Sequence, residues 1–141
     1  HNNLTGLGAQ KEFAVHQLGH ELSGRFGVPH GESLSSVWKA WAMYVYKEDP
    51  ARFARYACNV WHLDSITDID TAARQGIDAT VNFFASLGMP VSLPQLLGRT
   101  LSVEELCELA DKCSRGGTRT VSLLKPLGKE DLLRIYTAAN Q

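Results

Sequence analysis

At 141 residues and 44% hydrophobic, the chain is long enough for one domain with a real core and too short for two. Its 14 Lys and Arg against 15 Asp and Glu leave a formal net charge of -1, which offers no electrostatic footprint for nucleic acid or another polyanion. The longest apolar stretches fall well short of the roughly 20 residues that span a bilayer, and the start of the chain lacks the basic-then-apolar order of a signal peptide; no membrane partner and a cytoplasmic location are expected. Cys58, Cys107 and Cys113 are odd in number and show no CxxC spacing, so they read as small core residues in a reducing compartment rather than a disulfide framework. The chain opens on His1 without an initiating methionine, and something is expected to have preceded it.

The pattern is helical almost throughout. From about Ala9 to Phe26, Phe13, His16, Leu18, His20 and Leu22 recur near helical spacing, with Gly24 and Gly27 available to end the segment. Beyond the Gly27-Val28-Pro29 turn, Leu34, Val37, Trp38, Trp41, Ala42 and Val45 form a stripe at steps of three and four, a buried helix face. Asp49 followed by Pro50 is an N-cap with proline at the first helical position, ahead of Phe53, Ala57, Val60 and Trp61. Thr67 with Asp70 predicts a capping box for a helix bearing Ile69, Ala73, Ile77, Val81 and Phe84, ended by Gly88 and Pro90. Ser102 with Glu105 predicts another box, ahead of Leu106, Leu109, Ala110 and Cys113; Arg115-Gly116-Gly117-Thr118 must then be loop. Lys129-Glu130-Asp131 places acids in the first turn of a closing helix through Leu132, Leu133, Ile135 and Tyr136. Only Thr118 to Leu124 competes as a strand. The expected fold is all-α, a bundle of about six helices without internal repeats.

The densest group of ligand-type side chains is His16-Gln17-Leu18-Gly19-His20-Glu21, followed by Pro29-His30-Gly31. His16 and His20 stand four apart and therefore share one helix face, one turn above the other. His30 arrives beyond a tight turn where the next helix begins, against its positive end, a setting that favours the neutral imidazole that binds metal. A single histidine would more simply cap or pack in a polar crevice; three so close together point to a metal or catalytic site.

These residues resemble the signature of the C-terminal domain of iron-containing (group III) alcohol dehydrogenases, in the butanol dehydrogenase branch. His1-Asn2-Asn3-Leu4-Thr5-Gly6-Leu7-Gly8 resembles the segment leading into that signature, and Leu127-Gly128-Lys129-Glu130-Asp131-Leu132-Leu133-Arg134-Ile135-Tyr136 resembles the family's closing helix, so the likeness covers nearly the whole chain. It implies that His16 and His30 bind the catalytic divalent metal, normally iron(II), with zinc in some members, and that His20 lies beside the nicotinamide and substrate, relaying the alcohol proton. The family completes its metal site with an Asp and a further His on an upstream helix, and its Gly-Gly-Gly-Ser phosphate-binding stretch lies in an N-terminal nucleotide-binding domain; neither occurs in residues 1–141. The implied reaction is hydride transfer between a small alcohol and NAD or NADP, leaning to NADP and short aliphatic substrates, giving an aldehyde or ketone. The chain is thus expected to be one helical metal-binding domain, 1–141, inactive alone and partnered by the nucleotide-binding domain in a homodimeric enzyme.

Other residues read more plainly. Glu21 is expected in solvent, His62 at a helix end, Trp38, Trp41 and Tyr44 in the core, and Arg115, Arg119 and Lys125 on an exposed basic loop. Two rival readings are a small metallohydrolase and a non-catalytic helical binding module. The first suits an HxxxH pair, but Glu21 follows the second histidine instead of standing between the two, where a peptidase's general base belongs.

Overall fold

The computed structural model describes residues 12–63 and 68–141. Among the described residues seven α-helices follow in order: α1 Ala14–Phe26, α2 His30–Val45, α3 Pro50–Trp61, α4 Ile69–Ser86, α5 Leu93–Leu97, α6 Val103–Cys113 and α7 Lys129–Ala139, with a 3-10 turn at Tyr46–Glu48. Among the described residues β-pairing is limited to one antiparallel bridge, Val121 with Leu127, so the candidate strand from Thr118 does not form. The expected all-α fold holds, with α5 as an addition.

Local chemistry explains most boundaries. Gly27 ends α1 in the left-handed region at φ 66°, donating its N–H to Ser23 O at 3.0 Å. Asp49 caps α3 by accepting from Arg52 N at 3.1 Å. Ser102 and Glu105 form the anticipated reciprocal box at α6. The box expected at α4 is displaced: Thr67 lies outside the described residues, and the cap is Asp68, whose carboxylate accepts from Thr71 N at 2.8 Å. α1 starts at Ala14, and the expected start near Ala9 falls outside the described residues.

α2 occupies the centre, packed against α1, α4, α5 and α7, while α6 bridges α1 and α7. Leu18, Leu22, Val37, Trp41, Val45, Leu109, Leu132, Ile135 and Tyr136 belong to one continuous apolar core. Two close approaches shape it. A Cβ on Gly19 would lie 2.8 Å from both Leu34 Cδ2 and Ser33 Oγ, and one on Gly76 would lie 2.6 Å from Ala57 Cβ. Glycine therefore lets α1 close on α2 and α4 close on α3. α7 is pinned to α1 by the buried Tyr136 hydroxyl, which donates to Leu18 O at 2.9 Å. Asn140 secures the approach to α6 through both the N–H and carbonyl of Leu101, at 2.8 and 3.0 Å. No helix among the described residues is long and apolar enough to cross a membrane. Cys58, Cys107 and Cys113 are all free; Cys113 is buried and the other two half-buried.

Candidate metal and substrate site

The glycine-mediated approach of α1 and α2 brings the three histidines together. His16 Nδ1 faces His30 Nε2 at 3.2 Å. The His20 ring stacks on His30 with centroids 4.6 Å apart, and His16 lies 5.3 Å from His30 and 6.5 Å from His20. His20 is exposed, whereas His16 and His30 are half-buried. Ser33 steadies the start of α2: its hydroxyl donates to His30 O at 2.7 Å and accepts from Ser23 Oγ of α1 at 3.1 Å.

Burial, and then the proximity of His30 and His20, hold the proton affinity of His16 below the ordinary imidazole range. His30 Nδ1 is buried and makes no hydrogen bond. Two ring nitrogens bound to one tetrahedral ion at about 2.0–2.1 Å would stand about 3.3 Å apart. The His16–His30 pair, through Nδ1 of the first and Nε2 of the second, thus fits a shared divalent ion. Among the described residues no group of three or more His, Cys, Asp or Glu is placed to hold a metal, so this pair would need donors from elsewhere.

Several neighbours depart from the sequence reading. Glu21 is half-buried and not in open solvent; its charge acts on Cys113 and Tyr136. Burial first, and then Glu21, push the Cys113 thiol up to about 11, leaving it unreactive at neutral pH. Arg119 is likewise half-buried, donating from Nε to Cys113 O at 2.9 Å and from Nη2 to Gln17 Oε1 at 3.0 Å. Lys125 is tied to Glu48 at 2.7 Å and lies 5.3 Å from the Tyr44 ring centroid, leaving Arg115 as the exposed member of the expected basic loop. His62 does end a helix, as the left-handed C-cap of α3. Trp41 is core; Trp38 and Tyr44 are half-buried, and Tyr44 donates to Asp131 Oδ1 at 2.6 Å.

Sequence reasoning did not single out Phe13 and Gln17, and it read Arg119 as part of an exposed basic loop; the structure brings the three together in one cleft. Phe13 packs its ring 5.3 Å from His16, and it shares with Gln17, Arg119, Thr120 and Ser122 a cleft of about 240 Å³. Helical spacing could place Phe13 and Gln17 near His16; nothing local could bring in Arg119 from the far end of the chain. A larger cleft of about 770 Å³ is lined by Trp38, Trp41, Phe53 and Tyr56. By helical rise, Trp41 lies roughly 16 Å along α2 from His30, and the two clefts meet at Leu123.

Comparison with known proteins agrees with this architecture. Residues 4–140 match the model of the Fe-containing alcohol dehydrogenase family, C-terminal. The chain is 31% identical over 136 residues to NADH-dependent butanol dehydrogenase A of Clostridium acetobutylicum, covering 96% of this chain and 34% of that protein. It is 37% identical over 94 residues to the NADPH-dependent aldehyde reductase YqhD of Escherichia coli, covering 65% and 24% respectively. Among solved structures, NADH-dependent butanol dehydrogenase A from Thermotoga maritima superposes with a TM-score of 0.86 at 26% identity, covering 99% of this chain and 36% of that one. The chain therefore spans about a third of the length of these butanol dehydrogenases. It belongs, by this match, to the Fe-containing alcohol dehydrogenase family, as a C-terminal helical domain.

Proposed function

We propose that the chain supplies the helical half of the active site of a metal-dependent alcohol dehydrogenase, which moves hydride between a small alcohol or aldehyde and NAD(P). In this reading His16 and His30 ligate iron(II) or zinc, and His20 stands beside the coenzyme and substrate. The supporting observation is the 3.2 Å facing of His16 Nδ1 and His30 Nε2. The remaining metal donors and the coenzyme phosphate site belong to an N-terminal nucleotide-binding domain, and the whole enzyme is a cytoplasmic homodimer. The greater length of the relatives, some NADH-dependent and one NADPH-dependent by name, supports that division of labour.

When bound, the metal supplies a Lewis acid that polarises the alcohol oxygen. The chain's own residues do the rest on this side of the site. His16, its protonation disfavoured by burial and its neighbours, keeps a lone pair available at neutral pH. His20, stacked on His30 yet exposed, carries the hydroxyl proton between the site and solvent. Phe13 packs its ring against that of His16. The hydrolase alternative lacks its base, since Glu21 acts on Cys113 and Tyr136 instead of standing between the histidines.

The test is metal content in the complete enzyme. His16→Ala and His30→Ala should each abolish retention of the ion through dialysis, whereas His20→Ala should retain it and depress turnover. Full metal occupancy in the His16→Ala variant would refute the ligand assignment.

A further inference from the structure

Resting on the dehydrogenase reading, we propose that Arg119 is a specificity residue that receives a carboxylate on the substrate, making the preferred substrate an alcohol or aldehyde with an acidic group at its far end. Arg119 is half-buried, yet among the described residues no carboxylate forms an ion pair with it. Its two hydrogen bonds go to neutral oxygens: Cys113 O takes Nε at 2.9 Å, and Gln17 Oε1 takes Nη2 at 3.0 Å. These bonds fix the guanidinium plane from one edge and leave Nη1 without an acceptor among the described residues. A partly desolvated guanidinium held in a fixed orientation is prepared for the planar, two-point recognition of a carboxylate.

Its position gives the orientation meaning. Arg119 lines the 240 Å³ cleft with Phe13, Gln17, Thr120, Ser122 and Leu123. Gln17 immediately follows His16 on α1, and the Phe13 ring that lines the cleft lies 5.3 Å from the His16 ring, so Phe13 links the cleft to the first proposed metal ligand. The Glu12 carboxylate binds two of the cleft's lining residues and not Arg119, accepting from Ser122 Oγ, Leu123 N and Leu124 N at 2.8, 2.9 and 3.1 Å. A substrate whose hydroxyl meets the histidine site can therefore lay a short chain along Phe13 and end on Arg119. A purely structural arginine would serve equally well with any neutral substrate.

The experiment pairs 1-butanol with 4-hydroxybutanoate, which carries the same carbon skeleton with a carboxylate added, and measures kcat/KM on the complete enzyme. The unmodified enzyme should favour the hydroxy acid. Arg119→Gln should lower its kcat/KM by about 10–100-fold, the size of a charge-assisted pair, while changing 1-butanol less than about threefold. Arg119→Lys, which keeps the charge without the fork, should fall between, and it carries the test if the Gln variant does not fold. Calorimetric titration with butanoate gives a readout independent of turnover. Butanoate binding that weakens in Arg119→Gln supports the carboxylate subsite even if neither alcohol is oxidised, an outcome that would sink only the dehydrogenase reading. Equal losses on both alcohols, or butanoate binding unaffected by the substitution, would overturn the proposal.

Discussion

Gly19→Ala tests how the site is built, because this glycine sets the separation of the two helices that carry the histidines. An added Cβ would sit 2.8 Å from Leu34 Cδ2 and 2.8 Å from Ser33 Oγ, well inside van der Waals contact. Leu34 Cδ2 is the end of a flexible side chain and can turn aside. Ser33 cannot do so freely, because it is buried and its hydroxyl is held between Ser23 Oγ and His30 O. Alanine gains about 1 kcal/mol of helix propensity over glycine, while overpacking costs about 1–3 kcal/mol, so the net should be roughly 0–2 kcal/mol of destabilisation. Gly24 in the same helix is the control, with nothing within 4 Å of its would-be Cβ. Gly24→Ala should stabilise by about 0.5–1 kcal/mol. Urea denaturation of both variants reads the two signs, and metal titration of the complete enzyme carrying Gly19→Ala should show weaker binding as His16 and His30 separate. Equal stabilisation by both substitutions would refute the claim that Gly19 is required by close packing.

Two further outcomes follow from the core and from α6. Tyr136→Phe removes the buried hydroxyl bond from α7 to Leu18 O and should cost about 0.5–1.5 kcal/mol by urea denaturation, with little change in helical circular dichroism. Glu105 is held down at about 2 by Arg99 first and the Ser102 N–H second, against 4.5 when unperturbed. A depressed carboxylate contributes stability above its unfolded value and loses it as pH falls toward the folded one; the urea midpoint should therefore drop as pH decreases from about 4.5 toward 2. Glu105→Gln should flatten that drop, and an unchanged acid limb would show that the Arg99–Glu105–Ser102 group does not matter to stability.

Helix positions were readable because their signals are local. Asp49 before Pro50 and Ser102 before Glu105 act within one turn, and the structure uses both. At α4, Thr67-Asp68-x-Asp70-Thr71 offers overlapping capping residues, and composition alone does not select Asp68 as the one whose carboxylate reaches Thr71 N. α5 is too short for a periodic stripe; its only signals were Ser92 as a cap, Pro94 in the first turn and Gly98 at the end. Arg115 through Thr118 had to turn, and Arg115, Gly116 and Gly117 all take positive φ.

The site was legible for a different reason. The i to i+4 spacing of His16 and His20 is a property of one helix, and a three-residue turn can bring His30 back against it only if the helices pack closely. Gly19, lying between the first two histidines, is the residue that permits this, so one short motif encodes both the donors and the approach that joins them. The Arg119 side of the cleft has no such local code. The positive-φ turn from Arg115 to Gly117 and the bond to Cys113 O set its local course, but only the long-range contact with Gln17 joins it to α1. That separation fits a division of roles in which the local motif supplies a fixed chemistry and the long-range contact supplies the part that selects the substrate.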